Sequence, residues 1–283
     1  MQVVKNIVVK SNSHTKPIVT DLFYKKNALK KAIVIFCHGY KGYKDWGAWN
    51  IAAKEFAGND LFFVKFNFSH NGGTLENPID FPDLEAFGQN NFTIELNDLE
   101  DVIDWVITNP DFKDEVDVKN ITLIGHSRGG GTVTIKASKN SKITKLISWA
   151  GVSDFGSRFP TGELLNGWEK AGVSFIENAR TKQQMPHYFQ FYKNFKEHEE
   201  LLTIKKAVSN LKIPQLIVHG ENDEVVPLKE AENLHLWNPK SELKVIEEMN
   251  HPLGCTQPWE NTKMPEHLKE VVKCSIDFIK AEN

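Results

Sequence analysis

The sequence predicts an α/β protein in which a mostly parallel central sheet is flanked by helices on both faces. Continuous apolar segments at residues 32–37, 61–66, 143–149 and 213–218 are typical of strands buried on both faces. Helical patterns separate these segments, and each strand–helix–strand unit predicts a right-handed crossover. Polar motifs follow several of the strands, where ligands bind in sheets of this kind. We therefore expect a binding or catalytic site at the carboxyl edge of the sheet.

The N-terminal half begins with two segments of strand character, residues 3–9 and 18–24, which predict an antiparallel hairpin at an edge of the sheet. Residues 69–87 are rich in Gly, Asn and Pro and predict a loop. Residues 91–107 have apolar side chains at spacings of three and four, as an amphipathic helix does. The other elements predicted here are a helix at 45–57, a strand at 121–124 and a helix at 132–138.

Residues 153–212 interrupt the alternation of strands and helices, because they are rich in aromatic side chains and have no single period. We predict that they form an inserted cap, with a hairpin at 173–185 followed by helices. The regular pattern then resumes with a helix at 228–237, a strand at 243–246 and a helix at 265–279. The predicted core therefore comprises residues 1–152 and 213–283.

Composition excludes several classes of function. The chain of 283 residues has a formal net charge of −3, so it has no basic excess for binding nucleic acid or an anionic membrane. No signal peptide is expected, because residues 1–10 alternate apolar and polar side chains. No membrane-spanning segment is expected, because no apolar run approaches about 20 residues. Cys37, Cys255 and Cys274 form no disulfide framework, which predicts a reducing, cytoplasmic location. No set of ligands with metal spacing is found in the sequence, so no metal is expected. No cofactor is expected either. The sequence leaves the oligomeric state open, with a homodimer as one option.

The chemistry centres on a G-x-S-x-G pentad at residues 125–129, which lies between the strand at 121–124 and a helical pattern. In this context the serine occupies a sharp strand-to-helix turn and its hydroxyl is exposed at the top of the sheet. A serine at a helix start can also be a simple N-cap. The preceding strand and the flanking glycines favour Ser127 as a nucleophile.

A serine hydroxyl needs a base to accept its proton and a third group to orient that base. Asp223 lies in the loop after the strand at 213–218, and His251 lies in the loop after the strand at 243–246. These loops meet at the same edge of a parallel sheet, so we predict a triad of Ser127, His251 and Asp223. Three other carboxylates near strand ends remain alternatives for the acid: Glu221, Glu224 and Asp154.

Over nearly its whole length the chain resembles the α/β-hydrolase superfamily. The matching motifs, in order, are His38-Gly39, the pentad at 125–129, residues 219–223 with Val226-Pro227, and Asn250-His251. Residues 178–181 and their surroundings also resemble bacterial esterases of the acylaminoacyl-peptidase-like and cinnamoyl (feruloyl) esterase type. Residues 66–73 depart from the usual loop of those esterases, which leaves the substrate open. The resemblance implies an α/β-hydrolase fold.

The resemblance also implies an oxyanion hole made of backbone N–H groups. One donor would be the amide of Arg128, directly after the nucleophile, and the other the amide of Tyr40, after His38-Gly39. Each such donor stabilises the transition state by about 3 kcal/mol. Whether the side chains of Tyr40 and Arg128 also line the pocket stays open at this stage.

Together these residues predict a serine hydrolase that cleaves small-molecule carboxylic esters through an acyl-enzyme on Ser127. Aminopeptidase-like or thioesterase activity on the same triad is the closest alternative. A non-catalytic binding protein on a hydrolase scaffold is an alternative from a different class, since a fold does not dictate function. The presence of all three triad positions argues against that alternative.

Overall fold

A computed structural model describes residues 1–281, within which the chain forms an eight-stranded sheet, a separate two-stranded hairpin and nine α-helices. The strands are β1 (Gln2–Val9), β2 (Ile18–Tyr24), β3 (Lys31–Cys37), β4 (Phe62–Phe66), β5 (Val116–His126), β6 (Lys145–Trp149), β7 (Val173–Glu177), β8 (Gln184–Tyr188), β9 (Gln215–Gly220) and β10 (Glu242–Ile246). The helices are α1 (Trp49–Gly58), α2 (Leu84–Gln89), α3 (Phe92–Thr108), α4 (Arg128–Ala137), α5 (Gly162–Ala171), α6 (Gln190–Glu197), α7 (Ile204–Ser209), α8 (Leu228–Trp237) and α9 (Glu266–Lys280).

The large sheet has the strand order β1-β2-β4-β3-β5-β6-β9-β10. Its strands run parallel from β4 to β10, whereas β1 pairs antiparallel with β2 and β2 with β4. The predicted edge hairpin and the mostly parallel sheet are therefore confirmed. The chain leaves β3 toward β4 on one side and returns to β5 on the other, which makes the gap between β3 and β5 a topological switch point.

Helices cover both faces of this sheet because alternate residues of each buried strand point to opposite sides. On β3, Val34 and Phe36 join a core cluster with apolar residues of α1 and α9. Ile33 and Ile35 join a second cluster with residues of α3 and α4. All four side chains are at most 1% exposed, as expected for a strand covered on both faces. This packing fixes where β3 ends and therefore where the loop after it begins.

A buried ionic network lies beneath the loop that follows β3. Lys44 donates to Asp21 at 3.0 Å and to Asp45, while Lys65 of β4 donates to the same two carboxylates, each at 2.8 Å. Lys44, Lys65 and Asp21 are fully buried. Buried charges are tolerated only when they are paired in this way. The network therefore ties the loop after β3 to β2 and β4.

The structure differs from the sequence prediction at two short helices. Residues 69–87 were expected to form a loop throughout, but α2 begins at Leu84, where the Asp83 side chain accepts a hydrogen bond from the amide of Ala86. Helix α5 was not expected, because it contains two glycines, Gly162 and Gly167, which have low helix propensity. Short helices rest on capping and tertiary contacts more than on periodicity, so the pattern did not reveal them.

The segment between β6 and β9 contains α5, the β7–β8 hairpin, α6 and α7. The predicted hairpin and the helices after it are confirmed, and the second strand extends to Tyr188. The division into a core and a cap stays a prediction, and residues 282 and 283 of the predicted core lie outside the described residues. Within the part of the chain that the structure describes, no helix has both the length and the apolar character that crossing a bilayer requires.

Candidate active site

Ser127 lies on a strained turn between β5 and α4. Its backbone has φ of 56° and ψ of −122°, a conformation that residues other than glycine rarely adopt. Such a conformation is retained only where the surrounding structure enforces it. The two glycines of the pentad are required by close approach of the backbone. A Cβ at Gly125 would lie 2.2 Å from the carbonyl oxygen of Gly129, and a Cβ at Gly129 would lie 2.5 Å from that of Cys37. The turn therefore depends on both glycines.

The structure brings the three predicted triad residues together. The Nε2 atom of His251 lies 3.0 Å from Ser127 Oγ, and the Nδ1 atom lies 2.8 Å from Asp223 Oδ2. A carboxylate can only accept, so its position at Nδ1 places the imidazole proton there and turns the lone pair of Nε2 toward Ser127. The arrangement can therefore remove a proton from the serine hydroxyl.

Asp223 is itself held in one orientation. Its Oδ1 atom accepts hydrogen bonds from the amides of Val225, at 2.9 Å, and Val226, at 2.8 Å. Burial favours the neutral acid, but the hydrogen bond and charge of His251 and the two backbone amides outweigh it and lower the pKa of Asp223. The carboxylate is therefore ionised at neutral pH and can stabilise an imidazolium on His251.

The alternative acids lie elsewhere. Glu221 and Glu224 are exposed on the loop after β9. Asp154 is also exposed, and its carboxylate accepts hydrogen bonds from the backbone amides of Gly156 and Ser157. Within residues 1–281, Asp223 is the carboxylate that contacts the His251 ring.

The loop after β3 lies against Ser127. A Cβ at Gly39 would lie 2.8 Å from the Cβ of Ser127, so only glycine permits this approach. The carbonyl of Gly39 accepts hydrogen bonds from His38 Nδ1 at 2.9 Å and from the amide of Gly42 at 3.1 Å. In a trans peptide the N–H points opposite to the carbonyl, so these two bonds fix the direction of the Tyr40 N–H.

The two predicted oxyanion donors have their N–H groups free. Among the residues that the structure describes, neither the amide of Tyr40 nor that of Arg128 donates to a protein acceptor. Arg128 is the first residue of α4, and N–H groups at a helix N-terminus attract negative charge. Both amides are thus available to a carbonyl oxygen of a substrate.

Two histidines near the triad were not assigned a role from the sequence. His126 donates from Nε2 to the backbone carbonyl of His251 at 3.0 Å, and the two rings lie 4.9 Å apart. Burial and the neighbouring His251 lower the pKa of His126 to about 3, so His126 is neutral at physiological pH. His219 donates to the carbonyl of Val226 at 2.7 Å, in the loop that holds Asp223. These contacts orient the segments that carry His251 and Asp223.

No group of three or more His, Cys, Asp or Glu side chains within residues 1–281 has an arrangement that could hold a metal ion. The absence of a cofactor and of a metal from the reaction stays a prediction.

A family model described as BD-FAE matches residues 21–237, about three quarters of the chain. The chain belongs to the BD-FAE family. The human serine hydrolase BPHL is 29% identical over 174 residues, which cover 55% of this chain and 59% of the length of BPHL. The chain therefore spans less than two thirds of this relative.

Several solved structures have the same fold as this chain. Est1E from Butyrivibrio proteoclasticus superposes with a TM-score of 0.70 and is 17% identical over 98% of both chains. The structure of Est1E with ferulic acid bound superposes with a TM-score of 0.68 and is 18% identical, over 96% of this chain and 97% of Est1E. DcsB in complex with its substrate analogue has a TM-score of 0.73 at 15% identity, covering 99% and 98% of the two chains. The α/β-hydrolase fold and the resemblance to feruloyl esterases, both predicted from the sequence, are confirmed.

Proposed function

We propose that this protein is a serine hydrolase that cleaves carboxylic esters. One observation carries the proposal: a continuous chain of hydrogen bonds runs from Asp223 through His251 to Ser127, with contacts of 2.8 Å and 3.0 Å. The same three residue types perform nucleophilic acyl transfer on several unrelated folds. The relatives support the proposal, since BPHL is named as a serine hydrolase and ferulic acid, a carboxylic acid, binds Est1E.

The first half of the proposed reaction forms an acyl-enzyme. Ser127 Oγ attacks the ester carbonyl carbon while His251 Nε2 takes its proton, and Asp223 stabilises the imidazolium. The carbonyl oxygen becomes negative and accepts hydrogen bonds from the amides of Tyr40 and Arg128, each worth about 3 kcal/mol in the transition state. The tetrahedral intermediate then collapses, the bond to the alcohol oxygen breaks, and His251 donates the proton to the leaving alcohol.

The second half releases the acid. A water molecule gives its proton to His251 Nε2 and attacks the acyl carbon, and the same two amides stabilise the second tetrahedral intermediate. Its collapse breaks the bond to Ser127 Oγ, which recovers its proton from His251. The free acid leaves and the triad returns to its starting state.

Several further expectations stay part of the proposal. Residues 153–212 would act as a cap over the site, and a small-molecule ester would be the partner rather than nucleic acid or a membrane. A cytoplasmic location is proposed on the free cysteines Cys37, Cys255 and Cys274. Thioester or aminopeptidase-like activity would use the same triad, and a hydrolysis screen of matched esters, thioesters and aminoacyl amides separates these reactions.

Labelling with a fluorophosphonate probe tests the proposal, because the probe reacts with activated serine nucleophiles. We expect wild type to be labelled and Ser127→Ala to be unlabelled, with His251→Ala labelled far more slowly. Ser153→Ala is a matched control, since Ser153 is also buried and lies outside the triad. A folded wild type that resists the probe and hydrolyses none of the esters would favour a non-catalytic binding protein.

A further inference from the structure

A small polar pocket is lined by side chains that have no role in the reaction described above. It is lined by Tyr40, Asn90, Arg128, His187 and Phe191, together with Phe87 and Gly88, and we call it the Arg128 pocket. Two of these residues, Tyr40 and Arg128, supply the proposed oxyanion donors. The pocket therefore adjoins the two residues whose amides are the proposed oxyanion donors.

The Arg128 side chain provides hydrogen-bond donors to this pocket. Its Nη2 donates to Glu95, while no acceptor for Nε or Nη1 is found among residues 1–281. The guanidinium carbon lies 5.1 Å from the centre of the Tyr40 ring and 5.8 Å from the centres of the Phe92 and Phe191 rings. These rings hold the guanidinium in place without using its N–H groups.

Asn90 provides an acceptor with no partner. Its Nδ2 donates to Glu95 Oε1 at 2.8 Å, which fixes the orientation of the amide, because the flipped amide would place two oxygens against each other. The other atom, Oδ1, is buried and has no hydrogen-bond partner in the described part of the chain. Asn90 is only 6% exposed, so an unpaired acceptor here is unfavourable and calls for a donor from a water molecule or a ligand.

The chemistry of the pocket selects among ligand groups. A carboxylate has only acceptors and would meet Asn90 Oδ1, also an acceptor, beside a guanidinium already paired with the buried Glu95. An alkyl group would leave the Asn90 acceptor and the Arg128 donors unpaired. A hydroxyl group accepts and donates at once. The cavity volume of about 10 Å³ is at the lower limit of what one water-sized group needs, so the pocket has room for a group no larger than a hydroxyl.

We propose that the Arg128 pocket binds a hydroxyl group of the substrate, which accepts a hydrogen bond from the Arg128 guanidinium and donates one to Asn90 Oδ1. This inference rests on the proposed ester hydrolysis and specifies its substrate as a hydroxylated ester. The hydroxyl belongs either to the acyl part or to the alcohol part. Arg128 and Asn90 would then determine specificity, and Glu95 would act as a positioning residue for both.

Matched ester pairs test the inference, with a methyl group replacing the hydroxyl in each pair. The acyl arm compares phenyl 3-hydroxybutanoate with phenyl 3-methylbutanoate and phenyl 6-hydroxyhexanoate with phenyl heptanoate. The alcohol arm compares 4-hydroxybutyl acetate with pentyl acetate. In one arm we expect wild type to prefer the hydroxylated ester in kcat/KM by roughly 10- to 100-fold, the range of hydrogen bonds to charged groups. The arm with the preference identifies the source of the hydroxyl.

Two variants locate the preference. Asn90→Leu removes the acceptor, and Arg128→Lys keeps the positive charge beside Glu95 but loses the planar set of donors. In both variants the preference should fall to within about threefold, the size of a residual packing effect. Asn140→Leu, on the surface loop after α4, is the matched control and should retain the wild-type preference. If Asn90→Leu does not fold, Arg128→Lys alone decides.

The outcomes separate this inference from the proposed function. Wild type that hydrolyses both members of every pair equally well, or a preference that survives both variants, overturns the Arg128 pocket and leaves ester hydrolysis standing. If wild type hydrolyses none of the esters, calorimetric titration of Ser127→Ala with the same pairs decides without turnover. Tighter binding of one hydroxylated ester, lost in Ser127→Ala/Asn90→Leu, supports the pocket, and equal affinities within every pair overturn it.

Discussion

Asp223→Asn exchanges one carboxylate oxygen for an amide nitrogen and preserves the size of the side chain. The structure determines which atom is exchanged. The amides of Val225 and Val226 both donate to one side of this side chain, so the amide oxygen of the variant stays there. Its NH₂ group then faces His251 Nδ1, 2.8 Å away in the wild type. A donor at this position requires an unprotonated Nδ1 and moves the imidazole proton to Nε2.

With its proton on Nε2, His251 cannot accept the proton of Ser127. The variant also loses the charge that stabilises the imidazolium. Losing the correct tautomer in a triad costs about 10⁴ in kcat, equivalent to about 5.4 kcal/mol in the activation free energy. The fold should be retained, because the two backbone hydrogen bonds and the packing are unchanged.

The assay is kcat for p-nitrophenyl acetate, with the melting temperature measured on the same samples. Asp154→Asn is the matched control, because Asp154 is the alternative carboxylate in the loop after β6. This variant should keep kcat within about threefold of the wild-type value, as surface substitutions usually do. A loss below tenfold in Asp223→Asn would refute the reasoning. A large loss in Asp154→Asn with a small one in Asp223→Asn would move the acid of the triad to Asp154.

Three further predictions concern the supporting structure. Gly39→Ala should lower kcat by about 10²-fold or more, because the new Cβ would lie 2.8 Å from the Ser127 Cβ and would displace the Tyr40 amide. Gly58→Ala should leave kcat unchanged, because a Cβ at Gly58 would have no neighbouring atom within 4 Å. Lys65→Met should lower the free energy of unfolding, measured in urea, by about 3–5 kcal/mol, because Asp21 and Asp45 lose a buried partner. Lys142→Met, which removes an exposed ion pair, should lower it by less than about 1 kcal/mol. Equal losses in the two variants would contradict the argument. Burial lowers the pKa of His38 from 6.5 to about 4, so between these pH values His38 is protonated in the unfolded chain and neutral in the folded one, and the free energy of unfolding decreases as the pH falls. The loss at pH 4 should be about 3 kcal/mol, measured by urea unfolding. A His38→Gln variant whose stability depends on pH as strongly as that of the wild type would contradict this prediction.

The sequence was sufficient to predict that Ser127, Asp223 and His251 lie close together, because all three follow strand ends. Each lies within a few residues of the end of β5, β9 or β10, and parallel strands place those ends at one edge. Which of the four carboxylates contacts His251 became visible only with coordinates. Asp223 differs from Glu221 and Glu224 by its burial and its contact with His251, which depend on how the loop after β9 folds.

The supporting contacts could not be predicted, because they join segments far apart in the chain. His126 orients His251 across 125 positions, and Tyr40 contacts His187 across 147 positions at 2.8 Å. Neither pairing leaves a periodic signal in the sequence. The unpaired Asn90 acceptor is also a tertiary property, since it arises only after Glu95 has fixed the other end of the amide.

The central claim is that Ser127 forms a covalent acyl-enzyme. Rapid mixing with p-nitrophenyl acetate, an acid quench and mass spectrometry of the digested protein measure this directly. We predict one acetyl group on the peptide that contains Ser127 and none in Ser127→Ala, with much slower loss of the acetyl group in His251→Ala. Hydrolysis by Ser127→Ala at the wild-type rate, or wild-type turnover with the acetyl group on another residue, would contradict the account.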